Sequence, residues 1–188
     1  MGKKFHILGF AGSLRKDSYN KALLRAATEL VPEGVELEIF DLEGIPLFNQ
    51  DLENQPAERL KEFKAKIRAA DAILISTPEY NYSIPGVLKN AIDCASRPYG
   101  DNAFEHKPLA IMGASSGMLG SGRAQYHLRQ CFVFLSCFAL NQPEVIVPFA
   151  QDKIDTEGRL TDPKTREKVR QLLESLVVWT SRLAVSDK

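Results

Sequence analysis

Short apolar runs and helical stripes alternate along the chain. The runs at residues 5–10 and 72–77 have strand length and each ends in a loop-forming segment, as buried parallel strands do. Residues 35–40 alternate between apolar and polar positions, and further runs at 108–113 and 144–147 bring the number of predicted strands to five.

Five helices are predicted between and after these strands from apolar residues at three- and four-residue spacing. Ser18 is placed to cap the first helix, and Ser83 to cap the third, with Pro85 in its first turn. The fourth helix is expected over residues 124–140, and Asp162-Pro163 opens the last. The apolar stripes of the other helices are Leu23, Ala26, Ala27 and Leu30; Leu60, Phe63, Ile67 and Ala70; Val87, Leu88, Ala91 and Ile92; and Val169, Leu172, Leu173, Leu176, Val177 and Leu183.

Strands that alternate with helices predict a doubly wound α/β fold, in which a five-stranded parallel sheet is covered on both faces to give three layers. The chain has 188 residues, of which 44% are hydrophobic and 26% charged, and this suits one globular domain with a sizeable core. We therefore expect a single domain over residues 1–188.

Charge and cysteine content exclude several classes of partner. With 24 basic and 24 acidic residues, the chain has no overall field that would favour nucleic acid or an anionic membrane. Cys94, Cys131 and Cys137 have neither CxxC spacing nor neighbouring histidines, so we predict no metal site and expect reduced thiols in a cytoplasmic protein. The most apolar stretch, residues 131–140, has half the length needed to span a bilayer, and no signal peptide is predicted.

The segment after the first strand, residues 12–20, has the parts of a phosphate site. Ser13 and Ser18 offer hydroxyls, Arg15 offers a charged guanidinium that can donate two parallel hydrogen bonds, and the following helix offers free N–H groups. Neither GxGxxG nor GxxxxGK[ST] occurs, so a terminal monophosphate such as that of FMN fits better than a dinucleotide or a triphosphate with magnesium. The alternative is a solvated turn with a serine cap.

The segment after the third strand, residues 78–86, is rich in aromatic and polar residues. Tyr80, Asn81 and Tyr82 would border a flat ring such as isoalloxazine, and backbone N–H groups there would stabilise a reduced flavin. A packed turn is the alternative. Glu79 is interpreted as a structural or solvated carboxylate rather than a general acid.

A third segment follows the fourth strand. Residues 115–117 and 120–123 are small enough for a flat ligand to approach the main chain, although a flexible connection would have the same composition. No catalytic side chain is predicted, because no spacing forms a nucleophile, base and orienting group. The side chains considered for such a role are Cys131, Cys137, His106 and His127.

Three stretches together closely resemble the NADPH-dependent FMN reductase family, and within it the bacterial quinone and chromate reductases. They are GSLRKDSYN at residues 12–20, TPEYNYSIPGVLKNAID at 77–93 and RAQYHLRQ at 123–130. The similarity runs from Phe5 to Pro148 and includes IPLFNQD at residues 45–51.

The resemblance implies a flavodoxin-like fold that binds FMN, with NADPH or NADH as electron donor and quinones, chromate or other small oxidants as acceptors. It also implies a homodimer or homotetramer with active sites near the subunit contact. By position, Ser13, Arg15, Ser18 and Asn20 would hold the FMN phosphate, and Leu14, Lys16, Asp17 and Tyr19 would complete that loop. The ring and ribityl region would be met by Pro78, Glu79, Tyr80, Asn81, Tyr82 and Ser83, and the ring edge by Ser115 and Gly117. Asp17 is expected to cost some affinity, because it adds a negative charge near the phosphate.

The predicted fourth helix also favours an oligomer, since its apolar residues point around much of its circumference and need cover beyond one sheet face. These residues are Phe132, Val133, Phe134, Leu135 and Phe138.

Two hypotheses other than a reductase are compatible with the sequence. One is a flavodoxin-like carrier that passes single electrons to protein partners; such carriers resemble acidic proteins, whereas this chain is neutral. The other is a nucleotide-binding regulatory domain without catalysis, which would bind no flavin. The sequence favours the reductase, in which FMN performs the redox chemistry and no acid–base triad is needed.

Overall fold

The computed structural model describes residues 4–186 and contains six strands and five helices within that range. Two short 3-10 turns, Gln50–Leu52 and Ala150–Asp152, lie in long connections. In chain order the elements are β1 (Phe5–Ala11), α1 (Tyr19–Leu30), β2 (Val35–Phe40), α2 (Glu58–Ala69), β3 (Ala72–Ser76), α3 (Gly86–Ala95), β4 (Pro108–Ala114), α4 (Gly122–Phe134), β5 (Phe138–Ala139), β6 (Val145–Val147) and α5 (Pro163–Ser186).

All strands of the sheet are parallel, in the order β2-β1-β3-β4-β5, and β6 also pairs with β4. β5 pairs with Pro108 and Leu109 at the start of β4, whereas β6 pairs with residues 112–114 at its end. The two short strands therefore share the fifth position of the sheet. The predicted doubly wound, three-layer fold is confirmed, and the predicted strand at residues 144–147 is β6.

Two apolar cores lie on opposite faces of the sheet. On one face, α1 and α5 pack against the strands, and on the other α2, α3 and α4 do so. The second core contains a chain of phenylalanine rings in which Phe63 lies 5.2 Å from Phe10 and 4.9 Å from Phe40 between centroids. Each such fully buried side chain contributes about 1.5–3 kcal/mol, so the sheet is a rigid platform for its loops.

The first helix begins as predicted, whereas the third does not. Ser18 caps α1, since its Oγ accepts a hydrogen bond from the N–H of Asn20 at 3.2 Å. The predicted cap of α3 by Ser83 is wrong, because α3 begins after Pro85 and no side chain caps it. Ser83 Oγ instead lies 3.0 Å from Nδ1 of His127 on α4.

The predicted fourth helix over residues 124–140 is too long, because α4 ends at Phe134. Ser136 adopts the left-handed conformation with φ of 54°, and the N–H of Cys137 donates to the carbonyl of Phe132 at 3.1 Å. This Schellman arrangement normally has glycine at the left-handed position, so the sequence carries no obvious stop signal. The chain then turns to pair as β5 with β4.

The last helix, α5, is opened by Asp162, as predicted. Its carboxylate accepts hydrogen bonds from the N–H of Thr165 at 2.7 Å and from the Thr165 hydroxyl at 2.6 Å. Within residues 4–186, no helix combines the length and apolar character that a membrane span requires.

We expect Asp162→Ala to lower the free energy of unfolding at neutral pH by about 1 kcal/mol, because an amino-terminal cap of α5 is lost. The hydrogen bond from Thr165 lowers the pKa of Asp162 below its ordinary value of 3.8. The stabilisation is therefore complete above that value and is lost as the pH falls through the folded-state pKa. Denaturant unfolding at several pH values measures both effects. Asp162→Asn is the control, since it keeps a capping oxygen that does not titrate, and equal stability of all three proteins would refute the prediction.

Candidate active site

The carboxyl ends of β1, β3 and β4 border a cavity of about 320 Å³. The chain leaves β1 toward β2 on one side, whereas β3 and β4 follow on the other, so the strand order reverses here. In open α/β sheets this switch point is the usual place for a ligand. The lining residues are Ser13, Arg15, Ser18, Tyr19, Asn20, Pro78, Glu79, Tyr80, Ala114, Ser115 and Ser116.

Asn20 fastens the first loop to the neighbouring strands. Its Nδ2 donates to the carbonyl of Ala114 at 2.9 Å, and its Oδ1 accepts from the N–H of Ala114 and from Ser76 Oγ, both at 3.0 Å. The side chain is buried, so these bonds leave little of its hydrogen-bonding capacity unused. Asn20 thus holds α1 against β3 and β4.

The loop between β1 and α1 concentrates donors at the cavity. Within residues 4–186, no hydrogen bond takes up the backbone N–H groups of Lys16, Asp17 and Tyr19. The guanidinium of the exposed Arg15 donates to the carbonyl of Asp17 and lies over the face of Tyr19, with its Cζ 5.7 Å from the ring centroid. Free N–H groups at a helix amino end, together with a guanidinium, form a donor set that suits a phosphate.

The second wall contains a tight turn. Tyr80 and Ser83 exchange two backbone hydrogen bonds of 3.0 Å, and Asn81 and Tyr82 between them have φ of 49° and 67°. Positive φ is uncommon for a bulky residue such as tyrosine and costs about 1–3 kcal/mol unless the surroundings hold it. Here the Arg123 guanidinium lies 3.4 Å from the centroid of the Tyr82 ring.

Glu79 connects this wall to the amino end of α4. Its carboxylate accepts hydrogen bonds from Arg123 Nε at 2.6 Å and from the N–H groups of Arg123 and Ala124 at 3.1 and 3.3 Å. The hydrogen bond to Glu79 raises the pKa of Arg123, so the guanidinium stays charged. The expectation of a structural carboxylate agrees with this geometry, because every contact of Glu79 fixes the loop to α4.

The third wall continues from β4, whose Gly113 lies close to the main chain just after β3. A Cβ on Gly113 would lie 2.3 Å from the carbonyl oxygen of Thr77 and 2.1 Å from Ser121 Oγ, so only glycine fits between them. Ser115 Oγ accepts from the N–H of Gly117 at 3.1 Å and shapes the start of this wall.

Nine of the predicted site residues line the cavity, and seven lie beside it. Leu14 and Lys16 are exposed in the first loop, and Asp17 lines a neighbouring cavity of about 450 Å³ that shares Arg15, Ser18 and Tyr19. The others outside the lining are Asn81, Tyr82, Ser83 and Gly117.

Ala114, the last residue of β4, also lines the cavity and was not among the predicted residues. Its position at the end of a strand was the available signal. Ser116 and Arg123 belong to the third predicted segment, but neither was given a site role of its own. The pairing of Arg123 with Glu79 was not predicted, because the two residues are 44 positions apart.

The cysteines take no part in the cavity. Burial and the nearby Asp93 raise the pKa of Cys94 to about 11, and burial raises that of Cys137 to about 12. Burial also raises the pKa of Cys131. The thiolate is the reactive form of cysteine, so these side chains are unsuited to nucleophilic chemistry.

Comparison with known proteins agrees with this geometry. The family model of NADPH-dependent FMN reductases matches residues 5–152. An NAD(P)H-dependent FMN reductase of Pseudomonas aeruginosa is 52% identical over 186 residues, covering 97% of this chain and 99% of that protein. A 2-hydroxy-1,4-benzoquinone reductase of a Burkholderia species is 41% identical over 168 residues, covering 89% and 92% of the two chains.

A solved structure is similar to this chain in its three-dimensional fold as well as in sequence. The flavoenzyme NAD(P)H:(acceptor) oxidoreductase FerB of Paracoccus denitrificans superposes with a TM-score of 0.86 at 33% identity, over 95% of this chain and 98% of that one. The resemblance inferred from the motifs is thereby confirmed. With its cavity at the strand-order switch and its match over most of its length, the chain belongs to the NADPH-dependent FMN reductase family of oxidoreductases.

Proposed function

We propose that the protein is an FMN-dependent oxidoreductase that takes reducing equivalents from NADPH or NADH and passes two electrons to quinones. The observation that carries this proposal is the cavity at the switch point, which joins a phosphate-type loop to an open space bordered by Tyr80, Ser115 and Ser116. The Burkholderia relative, by its name, reduces a benzoquinone.

The first loop is assigned to the phosphate of FMN. Arg15, the hydroxyls of Ser13 and Ser18, and the free N–H groups at the start of α1 would hold it. Asn20 acts by fixing this loop to β3 and β4, because its side chain already bonds to Ala114 and Ser76. When bound here, FMN would supply the redox chemistry between the nicotinamide and the acceptor.

The other two walls orient the ring. Tyr80 is half exposed at the cavity, and Ser115 and Ser116 face it from the opposite loop without bulky side chains. An open face of this kind lets a nicotinamide, and later a quinone, lie flat against the ring. Hydride transfer needs this orientation more than a proton donor.

The single-electron carrier is the less favoured alternative. Carriers disfavour the fully reduced flavin by placing uncompensated negative charge around it. Here Glu79 is the one acidic residue that lines the cavity, and Arg123 pairs with it. A reduced flavin meets no run of carboxylates at this site.

Further proposals concern the acceptors, the location and the assembly. Chromate and other small oxidants are further acceptors that the family resemblance implies, and their reduction stays a prediction. A cytoplasmic location is supported by the free thiols of Cys94, Cys131 and Cys137. A homodimer or homotetramer is supported by Val133 and Phe134 at the end of α4, with exposed fractions of 79% and 78%.

An anaerobic absorbance titration tests the proposed function. We expect one equivalent of NADPH or NADH to bleach the absorbance of the bound FMN fully, and one equivalent of 1,4-benzoquinone to restore it. Free FMN with the same nucleotides is the control for reduction in solution. No bleaching with either nucleotide would contradict the reductase, and reoxidation by the quinone in two separate one-electron steps would favour the carrier.

Arg15→Ala tests the phosphate loop. We expect it to weaken FMN binding by one to two powers of ten, since a charge-assisted hydrogen bond contributes about 1.5–3 kcal/mol. Calorimetry on the apoprotein measures the dissociation constant. Lys16→Ala removes the same charge from the adjacent, exposed position outside the cavity lining, and we expect a change below about threefold. Equal effects of the two variants would show that general charge, not a phosphate contact, is responsible.

Light scattering tests the assembly. We expect the mass of a dimer or tetramer at micromolar concentration, and a shift toward monomer in Phe134→Asp, because a charge at an exposed apolar contact opposes burial. Glu105→Asp is the control, because it changes an exposed side chain elsewhere on the surface. A monomer mass for the unaltered protein would contradict the proposal.

A further inference from the structure

Glu79 stands out among the residues that line the cavity. It is the single acidic member of that set, and the exposed fraction of its side chain is 7%. A carboxylate this close to a flavin site would oppose the negative charge that FMN gains on reduction, because like charges at short range destabilise each other.

The structure places a counter-charge in direct contact with this carboxylate. Arg123 Nε donates to Glu79 Oε1 at 2.6 Å, and Nη2 of the same guanidinium also contacts Oε1. Oε2 accepts from the N–H groups of Arg123 and Ala124, the second and third residues of α4. These contacts compensate the charge of Glu79 from α4.

Arg123 is held in place independently of Glu79. Its guanidinium stacks on the ring of Tyr82, whose positive φ belongs to the turn closed by Tyr80 and Ser83. Ser83 in turn lies next to His127, one helical turn further along α4. Two residues of α4 thus contact the turn that borders the cavity, and the guanidinium is fixed relative to it.

We propose that Glu79 and Arg123 form a positioning ion pair that sets the relative affinity of the site for oxidised and reduced FMN, Arg123 cancelling the charge of Glu79. This rests on the proposed function, namely that the cavity holds FMN. The ratio of the two affinities sets how far the midpoint potential of bound FMN is shifted from that of free FMN, and it responds to charge even where the fold does not change.

Substitutions of the two members are expected to shift the ratio of affinities for oxidised and reduced FMN in opposite directions. Arg123→Gln leaves the carboxylate uncompensated and weakens the binding of reduced FMN relative to oxidised FMN. Glu79→Gln leaves the guanidinium uncompensated and strengthens it. The double variant Glu79→Gln/Arg123→Gln removes both charges and returns the ratio to within about threefold of the unaltered protein, since the two effects cancel.

The experiment measures the dissociation constant of oxidised FMN by titration of the apoprotein and the midpoint potential by anaerobic spectroelectrochemistry. We expect each single variant to change the ratio of affinities roughly tenfold, which corresponds to about 30 mV for a two-electron couple. Lys89→Gln and Asp93→Asn are the matched controls, because they break an ion pair of 2.7 Å on α3 whose residues do not line the cavity. Neither control should move the ratio beyond about twofold.

A merely structural role gives a different result. The single variants would then weaken oxidised and reduced FMN equally, the double variant would resemble the weaker single one, and the proposal would be overturned. Shifts of the same sign in Glu79→Gln and Arg123→Gln would overturn it as well.

Arg123→Lys keeps the test open if Arg123→Gln does not fold. Lysine preserves the charge but loses the planar stack on Tyr82, and we expect the ratio to stay within about threefold of the unaltered protein. Adding Glu79→Gln to Arg123→Lys should still strengthen the relative binding of reduced FMN. The unaltered protein is titrated first: failure to bind FMN would refute the proposed function, whereas binding with an unresponsive ratio would refute the ion-pair proposal alone.

Discussion

The buried amide of Asn20 is the interaction on which the carboxyl edge of the sheet depends. Through Ala114 and Ser76 it ties the first turn of α1 to β4 and β3, two strands that come more than 50 residues later in the chain. A buried polar group left without its partner costs about 1–3 kcal/mol, so this junction has one stable arrangement. The loop between β1 and α1 is therefore fixed at both ends, and its free N–H groups face a defined point before any ligand arrives.

The remaining site follows from that fixed loop. The first wall offers hydrogen-bond donors for an anion, and the second is a strained turn with aromatic side chains. The third wall has small side chains, and Gly113 allows its main chain to approach Thr77. The buried Cys94 and the partly buried Cys137 have raised pKa values and lie outside these walls. In a family whose cofactor performs the chemistry, the chain contributes a holding site, an open ring face and a controlled electrostatic environment.

Features that depend on residues close together in the sequence could be predicted from it. Contacts between residues that are distant in the sequence could not. The hydroxyls and arginine of the first loop, and the Ser18 cap, lie within one short segment, so their chemistry was readable directly. Ser83 was assigned to α3, because its contact with His127 lies 44 residues away and leaves no local trace. The early end of α4 was missed since Ser136, rather than glycine, takes the left-handed position. The same distance separates Glu79 from Arg123, so only the folded chain shows that this carboxylate is compensated.

The divided fifth strand has a consequence for how the protein behaves among other chains. β5 contributes two residues and β6 three, and the segment between them leaves the line of the sheet. A long, straight border with unpaired N–H and C=O groups is a template on which a foreign strand can grow into an aggregate. On this side an incoming strand finds no more than three consecutive residues with which to pair. The interruption between β5 and β6 thus protects this margin of the sheet against unwanted β-sheet extension.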